Sequence, residues 1–94
     1  MSENRNAQYR YQVLDRCFSD WNNKYTIEDL LEIVNNHLYE LEGQDSTIQL
    51  RQLRGDLNAI RKMLPNNVYL DAKPFEGKKC YYRYSEPNYS IYQN

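Results

Sequence analysis

The stretch from Gln49 to Arg61, QLRQLRGDLNAIR, decides the fold. At about 100° per residue, Leu50, Leu53, Leu57, Ile60 and Leu64 fall within an arc of about 80°, which predicts an amphipathic helix with a buried leucine face. The opposite direction carries Arg51, Gly55, Asn58 and Lys62, with Gln52 and Ala59 beside them. Arg54 and Arg61 lie on one flank, at the edge of the apolar stripe, and Asp56 turns to the other, where it can pair with a neighbouring helix. No acidic side chain stands on the 51-55-58-62 line. Ser46-x-x-Gln49 could act as a capping box, but a start near Leu50, with Ile48 in the turn, is favoured. Pro65-Asn66-Asn67 ends the helix.

Such a surface suits a helix that enters the major groove of a duplex. Arginine offers guanine two parallel donors, and glutamine or asparagine pairs a donor and an acceptor with adenine. Arg51, Gln52 and Asn58 are therefore candidate base readers, with Gln49 at the helix start. Arg54 and Lys62 are placed for phosphates, which fix register without reading sequence. Gly55 is anomalous, because a glycine in mid-helix costs about 1 kcal/mol against alanine. Either a side chain there would hold the helix off the DNA, or an exposed position has drifted neutrally; the sequence leaves both open.

Two helices are expected before this one. Tyr9, Val13, Leu14, Cys17, Phe18 and Trp21 recur at three- and four-residue steps and predict a helix over Ala7–Trp21, ended by Asn22-Asn23. Lys24-Tyr25 is expected as a very short strand. Thr26 then caps a second helix, with Asp29 three residues on and acidic residues crowding its first turns, as the helix dipole favours. Ile27, Leu30, Leu31, Val34, Leu38 and Leu41 form its stripe, and Gly43 stops it. Lys24 and Thr26 at its start offer a weak candidate phosphate contact. After the third helix the period changes. Residues 68–73 and 79–84 are rich in β-formers around the turn Phe75-Glu76-Gly77-Lys78, which predicts a hairpin with Pro74 ending or fraying its first strand. Lys78 and Lys79 sit beside its tip. One strand face, with Tyr81, Tyr82 and Tyr84, is expected to pack on the helices rather than to stack on single-stranded bases.

The order is helix, short strand, helix, connector, helix, hairpin. This is α+β, mainly α: a winged helix-turn-helix of three helices plus a β-hairpin wing. Ninety-four residues make one domain, here residues 1–84 followed by a polar tail, 85–94. Net charge is −1, but its distribution is uneven: four basic and nine acidic residues up to Asp45, eight basic and three acidic from Ser46 to Arg83. A domain polarised in this way can present one face to a polyanion. No apolar run approaches a membrane span and no signal-peptide region opens the chain, so a cytoplasmic, nucleoid-associated protein with no membrane partner is expected. Cys17 and Cys80 are read as two reduced thiols, one in a helix core and one in a strand. The sole histidine, His37, has no nucleophile or ligand partner in view. No enzyme, metal site or cofactor is expected.

The segments NRNAQYRYQVLDRCF, YTIEDLLE, LYELEG, LRQLRGDLNAIR and KKCYYRYSEPNYSI resemble the N-terminal winged helix-turn-helix region of WYL-domain transcriptional regulators of Bacteroides-type bacteria. The resemblance implies double-stranded DNA binding by the third helix, with Arg51, Gln52 and Arg54 in the stretch that matches the family's Arg-Thr-Ile-x-x-Asp-Leu pattern. Gln52 replaces its threonine, Gln49 stands where a serine cap is expected, and Gly55 stands where a larger polar residue is expected. It also implies that a sensory domain lies downstream, that 85–94 begins the linker to it, and that a homodimer would form mainly through regions absent from this chain. The competing expectation is a winged-helix protein-interaction module, with the acidic half and exposed tyrosines as its working surface.

Overall fold

The structure is a computed structural model that describes residues 6–92; the start of the NRNAQYRYQVLDRCF segment and the last two residues of the expected linker lie outside them. Helix α1 spans Ala7–Ser19, strand β1 Tyr25–Thr26, α2 Ile27–Glu42, α3 Leu50–Met63, β2 Leu70–Pro74 and β3 Cys80–Tyr84. The sheet order is β1-β3-β2, antiparallel throughout, with Tyr25 opposite Tyr82 and Leu70 opposite Tyr84. The short strand thus lies one residue later than expected and extends the hairpin to three strands. Val13, Leu14 and Phe18 of α1, Leu30, Val34 and Leu38 of α2, Leu53, Leu57 and Ile60 of α3, and Val68, Leu70 and Tyr84 meet in one core.

Helix α1 ends two residues before Trp21, because Asp20 offers the backbone an alternative. It is extended (φ −89°, ψ 97°), and its carboxylate accepts from the Asn22 N–H at 2.9 Å, the Asn23 amide at 2.9 Å and the Tyr25 hydroxyl at 3.0 Å. Short polar side chains compete with helix extension in this way. Trp21, expected on the buried stripe, is instead 40 % exposed, and its indole N–H donates to the Tyr84 carbonyl at 3.1 Å.

The second helix begins as expected. Thr26 accepts from the Asp29 N–H at 3.2 Å while the Asp29 carboxylate accepts from the Thr26 N–H at 3.0 Å, a complete capping box. At its far end Leu41 is exposed, and Gly43, at φ +94°, takes the left-handed conformation that glycine permits. A single 3-10 turn, Gln44–Ser46, leads on. The connector is closed by Asn35 of α2, whose amide donates to the Ile48 carbonyl at 2.9 Å and whose carbonyl accepts from the Ile48 N–H at 2.8 Å. One side chain therefore satisfies both backbone groups of Ile48, two residues before α3.

Helix α3 starts at Leu50, as favoured, and Gln49 makes no side-chain cap. Its buried face is the expected one except at its first residue, and Leu64 is half-buried against the core. Leu53, Asp56, Leu57 and Ile60 are buried, whereas Leu50 is 36 % exposed. Asp56 turns to the other flank as expected and pairs with a neighbouring helix: it forms a two-pronged ion pair with Arg10 of α1, Nε to Oδ2 at 2.7 Å and Nη2 to Oδ1 at 3.0 Å. Both residues are nearly sealed from solvent, at 3 % and 1 % exposure. The planar fork matches the carboxylate, so the pair specifies how α3 is turned on α1 as well as that it docks there.

Candidate nucleic-acid interface

Packing of α3 through Leu53, Asp56, Leu57 and Ile60 leaves its far side free. Arg51, Gly55, Asn58 and Lys62 are all exposed and form one ridge along the helix. The sole carboxylate of the helix is turned inward onto Arg10, so the ridge carries cationic and amide groups only. Gln49 is exposed just before the ridge. Gln52, grouped with the base readers by sequence, is brought elsewhere: it is half-buried, and its amide donates to Asp56 Oδ1 at 3.2 Å.

On the other flank, Arg54, Leu57, Asn58 and Arg61 face Tyr82 of β3 across a cleft of about 200 Å³. Arg61 donates to the Asn58 carbonyl oxygen at 3.5 Å, and among the described residues no carboxylate pairs with Arg54 or Arg61. Strand β3 therefore lies beside the edge of α3 that carries its arginines. Sequence reasoning placed Arg54 but not Arg61 or Tyr82 at the site. Their signal was present, since 54, 58 and 61 are four and three residues apart and share a helix face.

In the hairpin turn, Gly77 takes φ +59°, the Phe75 N–H donates to the Lys79 carbonyl at 2.9 Å, and the Lys79 N–H to the Glu76 carbonyl at 3.0 Å. Lys73, Lys78 and Lys79 are exposed. Two other cations, Arg83 and Lys24, are engaged within the domain. The Arg83 guanidinium lies 4.8 Å from the Trp21 ring centre and 4.9 Å from that of Tyr81, and donates to the Trp21 carbonyl at 3.3 Å. Lys24 lies 5.4 Å from the Tyr81 ring and 5.8 Å from Phe75. These stacks brace β1 and the hairpin from outside the core, and they engage Lys24 with the Tyr81 and Phe75 rings.

Tyr84 is fully buried, so its ring offers no platform for a base. Its hydroxyl donates to Asp15 Oδ1 at 2.7 Å, and burial together with that carboxylate pushes the phenol pKa up. Asp15 also accepts from the Ser90 hydroxyl and from the Ile91 N–H at 2.9 Å, and Tyr92 donates to Gln8 at 3.1 Å. The chain beyond β3 is thus fastened along α1. Cys17 is buried and Cys80 exposed, both as free thiols, and burial raises the Cys17 pKa to about 11. Among the described residues no group of side chains could hold a metal ion, and no helix is long and apolar enough to cross a membrane.

The family model for the N-terminal winged helix domain of WYL domain-containing proteins matches residues 6–85. No curated protein and no solved structure matches the chain.

Proposed function

We propose, from the premise that this chain belongs to the N-terminal winged helix domains of WYL domain-containing proteins, that it is the sequence-specific DNA-binding domain of a bacterial transcriptional regulator. The observation that carries this is the ridge of α3: four consecutive outward positions, all exposed, with the helix's one carboxylate withdrawn beneath them into an ion pair. Arg51 and Asn58, with Gln49 at the helix start, read base edges in the major groove. Arg54, Arg61 and Lys62 hold phosphates on either side, and Lys78 and Lys79 at the hairpin tip hold the backbone beyond. Gln52, tied to Asp56, steadies the ridge and is the least available of the expected readers. Residues 85–94 lead from the winged helix toward a sensory domain.

Titrating the chain with duplex across a range of salt tests this. Log affinity should fall with log salt by about 0.9 for each phosphate engaged. A duplex selected from a random pool should compete far better than its scrambled counterpart. A protein-interaction module would show neither behaviour.

A further inference from the structure

Gly55 stands at the centre of the α3 ridge, and nothing inside the domain requires a glycine there. Its backbone is helical, not left-handed. A Cβ added to it would meet only the Gln52 amide, at 3.9 Å, which is ordinary contact distance. Glycine is the poorest helix former after proline, so the domain gives up stability at this position without relieving any clash of its own.

The neighbouring side chains edge the gap without filling it, the Gln52 amide nitrogen lying 3.9 Å from where a Cβ would stand. Gln52 and Asn58 flank Gly55 three residues before and after it, so either could fold across it. Each is bonded away in the opposite direction, Gln52 to Asp56 at 3.2 Å and Asn58 to Arg61 at 3.5 Å. On the helical projection Asp56 and Arg61 lie on opposite flanks of the ridge. The result is a gap at Gly55, exposed between Arg51 and Lys62 and edged on one side by the Gln52 amide.

We infer that Gly55 is the point of closest approach between α3 and the duplex, where the gap admits a base edge to the helix backbone and so sets how deeply Arg51 and Asn58 enter the groove. This rests on the DNA-binding function proposed above. Glycine serves this purpose because only the absence of a Cβ lets another molecule reach the main chain. A methyl group in the gap would lift the ridge as a unit, since the helix is locked to α1 by Arg10–Asp56 and cannot roll to compensate. Base contacts would be lost first, because they need the full depth. Phosphate contacts, made by long flexible side chains, would survive.

The test compares the parent chain with Gly55→Ala and Gly55→Leu, each melted and each titrated against the duplex selected by the parent and against its scrambled counterpart. Gly55→Ala should melt about 4–8 °C higher. It should bind the selected duplex roughly tenfold or more weaker and the scrambled duplex little differently, with a larger selective loss for Gly55→Leu. Unchanged affinity for the selected duplex in Gly55→Ala overturns the inference while the DNA-binding function stands. A lower melting temperature in Gly55→Ala also overturns it, by showing that the glycine serves the fold. Absence of duplex binding by the parent removes both.

Discussion

Replacing Arg10 with methionine breaks the pair that turns α3 on α1 and leaves Asp56 charged at 1 % exposure with only the Gln52 amide as a partner. Removing one member of a buried ion pair costs about 3–5 kcal/mol, most of it the penalty of the stranded charge. A domain of this size has only about 5–14 kcal/mol to lose, so Arg10→Met should lower the melting temperature by about 12–40 °C. Asp56→Leu should cost a similar amount by stranding the guanidinium. The double variant Arg10→Met/Asp56→Leu removes both charges, and it should lie within about 1 kcal/mol of the parent or exceed it, because desolvation of two ions is no longer required. Denaturant unfolding of the four proteins, with the slope checked for constancy, measures the cycle. Single variants that each cost less than about 1 kcal/mol, or a double variant as unstable as the two losses added, would refute the reasoning. The double variant also separates orientation from stability: with its fold intact but the fork gone, it should discriminate less between selected and scrambled duplexes.

Thiol labelling at pH 8 should modify Cys80 quickly and leave Cys17 unreacted until the protein is unfolded, since Cys17 is buried with its pKa raised to about 11; mass spectrometry after a timed quench reads this. Cys17, Tyr25 and Tyr84 all hold their protons more tightly when folded than when unfolded, so the unfolded chain releases protons first as pH rises. These three groups should therefore make stability fall from about pH 9 toward 12; urea midpoints across that range check it. Asn35→Ala removes both bonds to Ile48 and strands two backbone groups at the entry to α3, for a loss of about 1–3 kcal/mol, with early amide exchange at Ile48 as its local signature.

The elements were legible because each rests on a local rule. Thr26 with Asp29 marks the start of α2, Gly43 its end, and the leucine spacing α3. Trp21 and Leu50 were misjudged because periodicity counts only apolar residues. It missed the Asp20 turn that ends α1, and it missed the polar members of the core. Arg10 sits on the α1 stripe between Ala7 and Val13, and Asp15 lies beside Leu14, but a charged residue at an apolar position reads as a surface residue until its partner is known. Those partners are 46 residues away for Arg10 and 69 or more for Asp15, a separation that no local pattern encodes. The ridge of α3 was visible because it follows from helical geometry alone. The commitment of Gln52 to Asp56 was not, since it depends on where α1 packs.

The most direct measurement titrates Arg51→Ala and Lys79→Ala against the selected duplex and its scrambled counterpart at one salt concentration. If the outward ridge of α3 reads bases, Arg51→Ala loses about 1–3 kcal/mol of discrimination between the two duplexes, while Lys79→Ala weakens both alike. Equal losses on both duplexes for Arg51→Ala, or no loss on either, would contradict it.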